Sequence, residues 1–326
     1  MSAGHSQKIV LGSRGSELAL AQTAMVVTAL RGAWPGIEAG SEIITTHGDE
    51  GKSSASFQFA SSEETQAGSS RYLGRKGLFT GEIERVLAAG GIDIAVHSAK
   101  DLPSDATPGL EVRSVLPRAP VDDLLITKVP GGLALLRSNA MIATGSIRRQ
   151  YQLRWKHPAF QVAELRGNVP TRLRKLAASD WDAIVLARAG VERLGHDLSA
   201  GSFSFEGALL YAEILPCDEF VPAGGQGVIA LQVRTDDEKT QAIVDRINDV
   251  ETLFCLRAER EFLRLLQADC GSPVGVLATA EGTRLRVRAQ LFEPGKSEPR
   301  IGEVEGSITH GVEALAAELL EQINAG

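Results

Sequence analysis

Met141-Ile-Ala-Thr-Gly-Ser-Ile-Arg-Arg-Gln-Tyr-Gln-Leu-Arg-Trp-Lys156 passes from a short apolar run through a turn of small residues into a stretch that reads as a helix from Ser146. Such a passage is the strand-to-helix half of a βαβ unit. The alternation continues with a strand at Gln161 to Leu165, a helix at Pro170 to Ala178, a strand at Ala183 to Ala187 and a helix at Gly190 to Leu194. Upstream lies a similar series. It predicts a strand at Lys8 to Gly12, a helix capped by Ser16 and stopped by Gly32, a strand at Glu42 to Thr46, a helix at Leu78 to Ala89 and a strand at Ile92 to His97. Strands near Leu110 to Val115 and Leu124 to Thr127 follow, and Pro117 and Pro120 between them mark a crossing between domains. A strand at Val228 to Val233 rejoins the first series, so the chain reads as two similar α/β lobes.

The last part has a different rhythm. A helix from Asp236 to Gln267, broken near Val250, precedes strands near Val274 to Ala280, Arg284 to Phe292 and Glu303 to Ile308 and a closing helix at Val312 to Ile323. This pattern predicts an α+β domain with a three-stranded sheet. The expected division is 1–116 with 228–245 as one lobe, 122–221 as the second, and 250–326 as the C-terminal domain. The stretch from Asp49 to Gly77, rich in Ser, Gly and Gln, reads as a long mobile loop over a site.

The chain has 326 residues, 43% of them hydrophobic, enough for a substantial core in two or three domains. No apolar run is long enough to span a bilayer and the N-terminus carries no signal pattern, so the expectation is a cytoplasmic protein without a membrane partner. Cys217, Cys255 and Cys270 lack paired spacing, which argues against a disulfide framework and a thiolate zinc site; no metal is expected. A net charge of -7 and 5% aromatic residues argue against a nucleic-acid binder.

Against that acidic background, Thr144 to Lys175 holds Arg148, Arg149, Arg154, Lys156, Arg166, Arg172, Arg174 and Lys175 with the single acid Glu164. An arginine fork pairs with a carboxylate or phosphate through two parallel hydrogen bonds, so the cluster points to a polyanion site. Three strand-to-helix junctions join small residues to arginine: Gly12 to Ser16, Thr144 to Arg149 and Arg166 to Arg172. Any one of them is what helix capping alone requires. All three together shift the reading towards anion binding at the carboxyl ends of the strands.

Asp93-Ile-Ala-Val-His-Ser-Ala-Lys-Asp101 places a hydroxyl, an ammonium and a carboxylate at the end of a buried-type strand. The carboxylate could stabilise a developing cation or move protons, or form only a surface ion pair with the lysine. His97 reads as a structural histidine. Cys270 could be a nucleophile if cations lower its pKa, or a small buried cysteine.

Leu11-Gly-Ser-Arg-Gly-Ser-Glu-Leu-Ala-Leu-Ala-Gln22, Lys76-Gly-Leu-Phe79, Asp93 to Pro103, Thr144 to Gln150, Leu165 to Val169, Thr171 to Leu176, Asp182 to Ala187, Pro222-Ala-Gly-Gly-Gln-Gly227 and Ala258 to Leu263 leading to Cys270 together resemble the porphobilinogen deaminase family, in order and over nearly the whole chain. The resemblance implies two periplasmic-binding-protein-like (type II) α/β lobes plus the C-terminal α+β domain. It implies a monomeric transferase of porphyrin biosynthesis that condenses four porphobilinogen molecules with loss of ammonia and releases hydroxymethylbilane. It also implies a dipyrromethane cofactor on a thioether to Cys270.

By the same resemblance, Arg14, Arg148, Arg149, Arg166, Arg172 and Arg193 match binding arginines, and Ser16, Ser98, Lys100, Thr144 and Ser146 match their polar partners. Asp101 matches the catalytic carboxylate, helped by Lys100 and Arg14, and Gln22 a substrate-side residue. Lys76 and Phe79 match the end of the covering loop, and Gln226 a hinge. The chain departs from the family at Ala268-Asp269, Ala119-Pro120, Arg188 and Gly224, and its 49–75 loop is long. A two-lobed polycarboxylate-binding protein without catalysis, or a degenerate member, is the alternative reading.

Overall fold

A computed structural model describes residues 8–45, 77–268 and 272–325. Lys76, Cys270 and the 49–75 loop lie outside the described residues, as does the side chain of Phe79.

The first lobe opens with β1 (Lys8–Ser13), α1 (Glu17–Ala33), β2 (Glu38–Ile43), α2 (Gly77–Ala88), β3 (Ile94–Ser98) and β4 (Leu110–Val115). The second holds β5 (Asp123–Thr127), α3 (Gly132–Leu135), β6 (Met141–Ala143), α4 (Ile147–Lys156), β7 (Gln161–Ala163), α5 (Val169–Ala178), β8 (Ala183–Ala187), α6 (Arg188–Glu192), β9 (Ser202–Phe205) and β10 (Ala208–Leu215). The chain then returns through β11 (Ile229–Arg234) and α7 (Glu238–Asp245) to α8 (Val250–Leu265). It ends in β12 (Val274–Glu281), β13 (Arg284–Leu291), β14 (Arg300–Ser307) and α9 (Val312–Ala325).

The two large sheets run β2-β1-β3-β11-β4 and β7-β6-β8-β5-β10-β9. Each has three parallel strands, β2-β1-β3 or β7-β6-β8, joined to an antiparallel strand that arrives from the other lobe. In the first lobe that strand is β11, and in the second it is β5. The chain therefore crosses between lobes twice, through 116–122 and 216–228; the three arginine-bearing junctions follow β1, β6 and β7, and the Lys100-Asp101 pair follows β3. The third sheet, β12-β13-β14, is antiparallel and packs against α8 and α9 around Phe262, Val276, Val287 and Leu319.

The α/β class and the three-stranded C-terminal sheet are as expected, and several element limits are corrected. The second strand is Glu38–Ile43 rather than Glu42 to Thr46, because it pairs as an edge strand in register Lys8↔Glu38 and turns mostly polar residues to solvent. Alternating hydrophobicity, the usual strand signal, is absent there. Gly32 does not stop α1. The helix ends one residue later, where Trp34 packs under Arg246 and donates Nε1–H to the Ile243 carbonyl at 3.1 Å. The hairpin β9-β10 is an addition to the expected elements. Its loop, Glu206-Gly207, has positive φ at both residues (48° and 84°), the conformation that matches strand twist in a two-residue turn.

The long C-terminal-side helix is two helices, capped separately by Asp237 and Asp249. Their carboxylates accept the Thr240 and Thr252 amides at 3.0 and 2.8 Å. The break lets α7 stay with the first lobe and α8 run into the C-terminal domain.

Candidate active site

At the end of β3 the chain tightens into a single 3-10 turn, Ala99–Asp101. Ala99 and Leu102 are buried in an apolar cluster with Val115, Val228, Leu253 and Leu256, so the turn is anchored through its first and following residues. The two residues between them face outward, Lys100 half-buried and Asp101 exposed. Gly225, at φ +75°, lies directly beneath: a Cβ there would come within 2.9 Å of Ala99 C and of the Lys100 amide nitrogen. Only glycine allows that approach.

Gly225 is itself held from the C-terminal domain. Its amide donates to Glu259 Oε2 at 2.6 Å, and the fully buried Glu259 also accepts from Ala278 N at 2.8 Å and pairs with both Arg118 Nη atoms at 2.7 and 3.2 Å. Arg118 Nε donates to the Gln226 carbonyl. One buried ion pair thus joins α8, β12 and both interlobe crossings under the turn that carries Asp101.

Arg14, Ser16, Gln22, His97, Ser98 and Asp101 line one cavity at the carboxyl ends of β1 and β3. Ser16 caps α1, accepting from Ala19 N at 3.3 Å, and Gln22 bonds to Ser98 Oγ through Nε2 at 2.9 Å. His97 is 5% exposed and bonds to Gln232 Oε1 at 3.1 Å; burial pushes its pKa down to about 4, with Arg260 adding to the drop against the Gln232 bond. It is a neutral structural histidine, as expected from the sequence.

The second lobe supplies most of the cations. Gly145 brings its turn against the neighbouring strand end, where a Cβ would lie 2.4 Å from the Leu165 carbonyl oxygen. Thr144 is fully buried and its Oγ1 accepts the Ser146 amide at 3.3 Å; Ser146 precedes α4 without capping it through its side chain. Arg148 and Arg149, 4% and 5% exposed, converge on Asp123: Arg148 Nη1 reaches Oδ2 at 2.8 Å and Arg149 Nη2 reaches Oδ1 at 2.7 Å. Arg148 Nη1 also donates to Gln152 Oε1 and the Val221 carbonyl, and Arg149 Nη1 to the Val185 carbonyl. Gln226 joins the same centre, with Nε2 donating to Asp123 Oδ1 at 2.8 Å and the Val121 carbonyl at 2.7 Å. Burial opposes the Asp123 charge, but the two guanidiniums outweigh it and hold the carboxyl well below its usual range.

Asp123 does not stand out in the sequence, where it is one acid beginning an apolar strand. Its burial beside two arginines is a property of the assembled lobe.

The two walls meet electrostatically. Burial lowers the Lys100 pKa to about 8, reinforced by the charge of Arg149 and opposed by Asp101 and Asp123. Half-buried Arg172 is pushed down to about 10 by burial and by Arg149, against the pull of Asp101. Arg193 falls to about 10 through burial; its Nη2 donates to the Gly227 carbonyl at 2.7 Å. Among the described residues, the buried Nε atoms of Arg148, Arg149 and Arg193 have no hydrogen-bond partner. Desolvated cations with orphaned N–H groups fit a ligand that brings several carboxylates.

Arg166 is exposed and paired with Glu164. Arg188 bonds to Glu192 at 2.7 Å and lies 3.5 Å from Asp122, so this departure from the family pattern is a local ion-pair residue. The thiols of Cys217 and Cys255 are both pushed up to about 12, chiefly by burial. Among the described residues no group of acids, histidines and cysteines could hold a metal, and no helix is long and apolar enough to cross a membrane.

Residues 9–242 match the family described as porphobilinogen deaminase, dipyromethane cofactor binding domain, and residues 253–325 match porphobilinogen deaminase, C-terminal domain. The porphobilinogen deaminase of Roseiflexus sp. (strain RS-1) is 40% identical, over 97% of this chain and 97% of its own. That of Thermus thermophilus is 39% identical, over 96% of each. Among solved structures, the methionine binding protein MetQ matches 76% of this chain and 93% of its own at 12% identity and a TM-score of 0.43.

Proposed function

The chain belongs to the porphobilinogen deaminase family, and on that premise we propose how its own residues carry the reaction. Its activity is that of a porphobilinogen deaminase working with a dipyrromethane cofactor. The finer reading is a cytoplasmic, monomeric transferase, a hydroxymethylbilane synthase, that joins four porphobilinogen molecules and hydrolyses off the linear product. It assigns 1–116 with 228–245 to the lobe bearing Asp101, 122–221 to the arginine wall, and 250–326 to the domain whose Cys270 holds the cofactor.

The observation that carries this reading is that Lys100 and Asp101 of the first lobe lie within electrostatic reach of second-lobe arginines, Lys100 of Arg149 and Asp101 of Arg172, with Lys100 and Arg172 both desolvated. Each pyrrole of the substrate bears an acetate and a propionate. In the proposal Arg14, Lys100, Arg149, Arg172 and Arg193 bind these carboxylates, while Ser16, Ser98, Thr144, Ser146, Arg148 and Arg166 complete the cradle. Once bound, dipyrromethane supplies the nucleophilic pyrrole carbon from which the chain grows.

Asp101 is the group aimed at the reacting ring. Loss of ammonia leaves positive charge spread over the substrate pyrrole and its N–H, and a fixed carboxylate there lowers the barrier. The same carboxylate takes up the proton released when the newly joined ring regains aromaticity. Lys100 beside it screens the resting carboxylate and neutralises an acid side chain of the substrate.

Intact-mass measurement of the denatured protein, with an Ehrlich colour test for bound pyrrole, tests the attachment. The wild type is expected to carry the dipyrromethane adduct and Cys270→Ser to lack it; an adduct surviving in Cys270→Ser refutes the assignment.

The Lys100 shift gives a pH signature. With a folded value near 8 instead of 10.5, the ammonium is present below pH 8 and lost above it, so kcat/KM for porphobilinogen should decline as pH rises through about 8. Lys100→Arg, whose guanidinium stays charged, should move that decline to higher pH. An identical alkaline limb in both proteins would rule Lys100 out as its origin.

A further inference from the structure

The turn that carries Asp101 is bordered by a second cavity on the side away from the cleft. It lies between the first lobe and α8, has a volume of about 330 Å³ and is open on one side, at the lower end of the size range of small-molecule sites. Leu102, Val112, Leu253 and Leu256 give it an apolar floor, and Arg257 and Arg260 stand at its edge.

Two of its cations make few direct bonds. Arg260 is half-buried, feels the charges of Glu84 and Asp105, and makes among the described residues a single direct hydrogen bond, a long one from Nη2 to the Ser104 carbonyl, 3.4 Å. Exposed Arg257 makes none among the described residues. Arg264, one turn on, is by contrast fully paired with Glu261 at 2.7 and 2.8 Å. The cavity also contains acids. Glu84 is occupied by Thr107 and Gln232, at 3.0 and 2.8 Å, Asp105 lies in the field of Arg260 and Arg264, and Glu111 is 3.6 Å from Arg113; with Glu261 and Glu313 the lining still holds more acids than arginines. A ligand with several carboxylates, such as the substrate, would meet repulsion there. A ligand with one carboxylate and an apolar body would set the first on Arg257 and Arg260 and the second on the leucines.

The wall between the two cavities is thin. His97 lines the cleft, its partner Gln232 lines the second cavity, and Gln232 passes a hydrogen bond on to Glu84. Along the chain, Asp101 lines one and Leu102 the other.

We propose that this cavity is a second ligand site, selective for a small monocarboxylic acid with an apolar body, whose occupancy acts on the Asp101 turn from behind. The regulatory half rests on the function proposed above; the binding half does not. Isothermal titration of the holoprotein with 4-phenylbutyrate tests it. Saturable binding is expected, weakened at least fivefold by Arg257→Glu and by Arg260→Gln, which retains an N–H for the Ser104 carbonyl. Binding should be unchanged by Arg14→Ala and weak for 4-phenylbutanamide. Absence of saturable binding, retention of full affinity in both α8 variants, loss in Arg14→Ala, or equal affinity for the amide would each overturn the site.

Saturating 4-phenylbutyrate should also change kcat or KM for porphobilinogen in the wild type and not in Arg257→Glu. Binding without such a change overturns the coupling while leaving the site. A preparation that binds the acid but never turns over porphobilinogen counts instead against the proposed function.

Discussion

Asp101→Ala is expected to fold as the wild type does and to lose a hundred- to thousandfold in kcat, the scale on which removal of one preorganised electrostatic group acts. The expectation of an intact fold comes from the local geometry. The Asp101 side chain is exposed, and among the described residues its carboxylate makes no direct hydrogen bond. The turn is held by Ala99 N to the Val228 carbonyl at 3.0 Å, by the burial of Ala99 and Leu102, and by Gly225 beneath. None of these contacts involves the carboxylate.

Because the charge acts on positive charge that develops during reaction, kcat should fall more than KM rises. Asp101→Asn, which keeps shape and polarity but not charge, should be nearly as impaired, whereas Asp101→Glu should recover part of the rate. Steady-state kinetics with urea denaturation of each variant checks this. Wild-type turnover in Asp101→Asn would show that charge at this position does not drive the step.

The parts of this arrangement that are readable from the sequence are those made locally. A Thr-Gly-Ser or Gly-Ser-Arg junction after a short apolar run announces a strand end and a helix start whatever the rest of the chain does, and Leu110–Val115, Met141–Ala143 and Ala183–Ala187 fall where the apolar runs place them. The clustering of arginines in one lobe is equally visible. Edge strand β2 escapes such a reading because an exposed strand has no need of alternating apolar residues. The β9-β10 hairpin leaves a usable signal in Phe203, Phe205 and the Glu206-Gly207 turn, but a weak one.

What sequence does not supply is pairing at long range. Arg118 meets Glu259 across 141 positions and His97 meets Gln232 across 135. Neither separation has a local signature, yet these pairs decide what lies under the Asp101 turn. The same limit makes Arg148 and Arg149 look like equivalent ligand-facing residues. Both instead turn to a buried acid 25 positions before Arg148, Arg148 adding bonds to Gln152 and the Val221 carbonyl and Arg149 one to the Val185 carbonyl.

That acid carries the other large expected effect. Asp123→Asn should destabilise the protein by about 3–5 kcal/mol, the scale for removing one partner from a buried ion pair. Asparagine nearly preserves the volume, so the loss is chiefly electrostatic. Two guanidiniums, 4% and 7% exposed at their side chains, would share a site without a counter-charge, and Gln226 would lose its carboxylate acceptor. Against a typical total of about 5–15 kcal/mol for a folded domain the effect is large, and urea denaturation reads it directly.

The sign of its pH dependence is fixed by the depressed pKa of Asp123. The ion-paired carboxylate contributes fully above its unfolded value of about 4, and the contribution fades as pH falls from there towards the lower folded value. Wild-type stability should therefore decline more steeply than that of Asp123→Asn over this acid window, and the gap between them should narrow. Adding Arg148→Met to Asp123→Asn removes one stranded charge and should recover part of the loss. If the single variant is as stable as the wild type at neutral pH, the Asp123 centre does not hold the second lobe together.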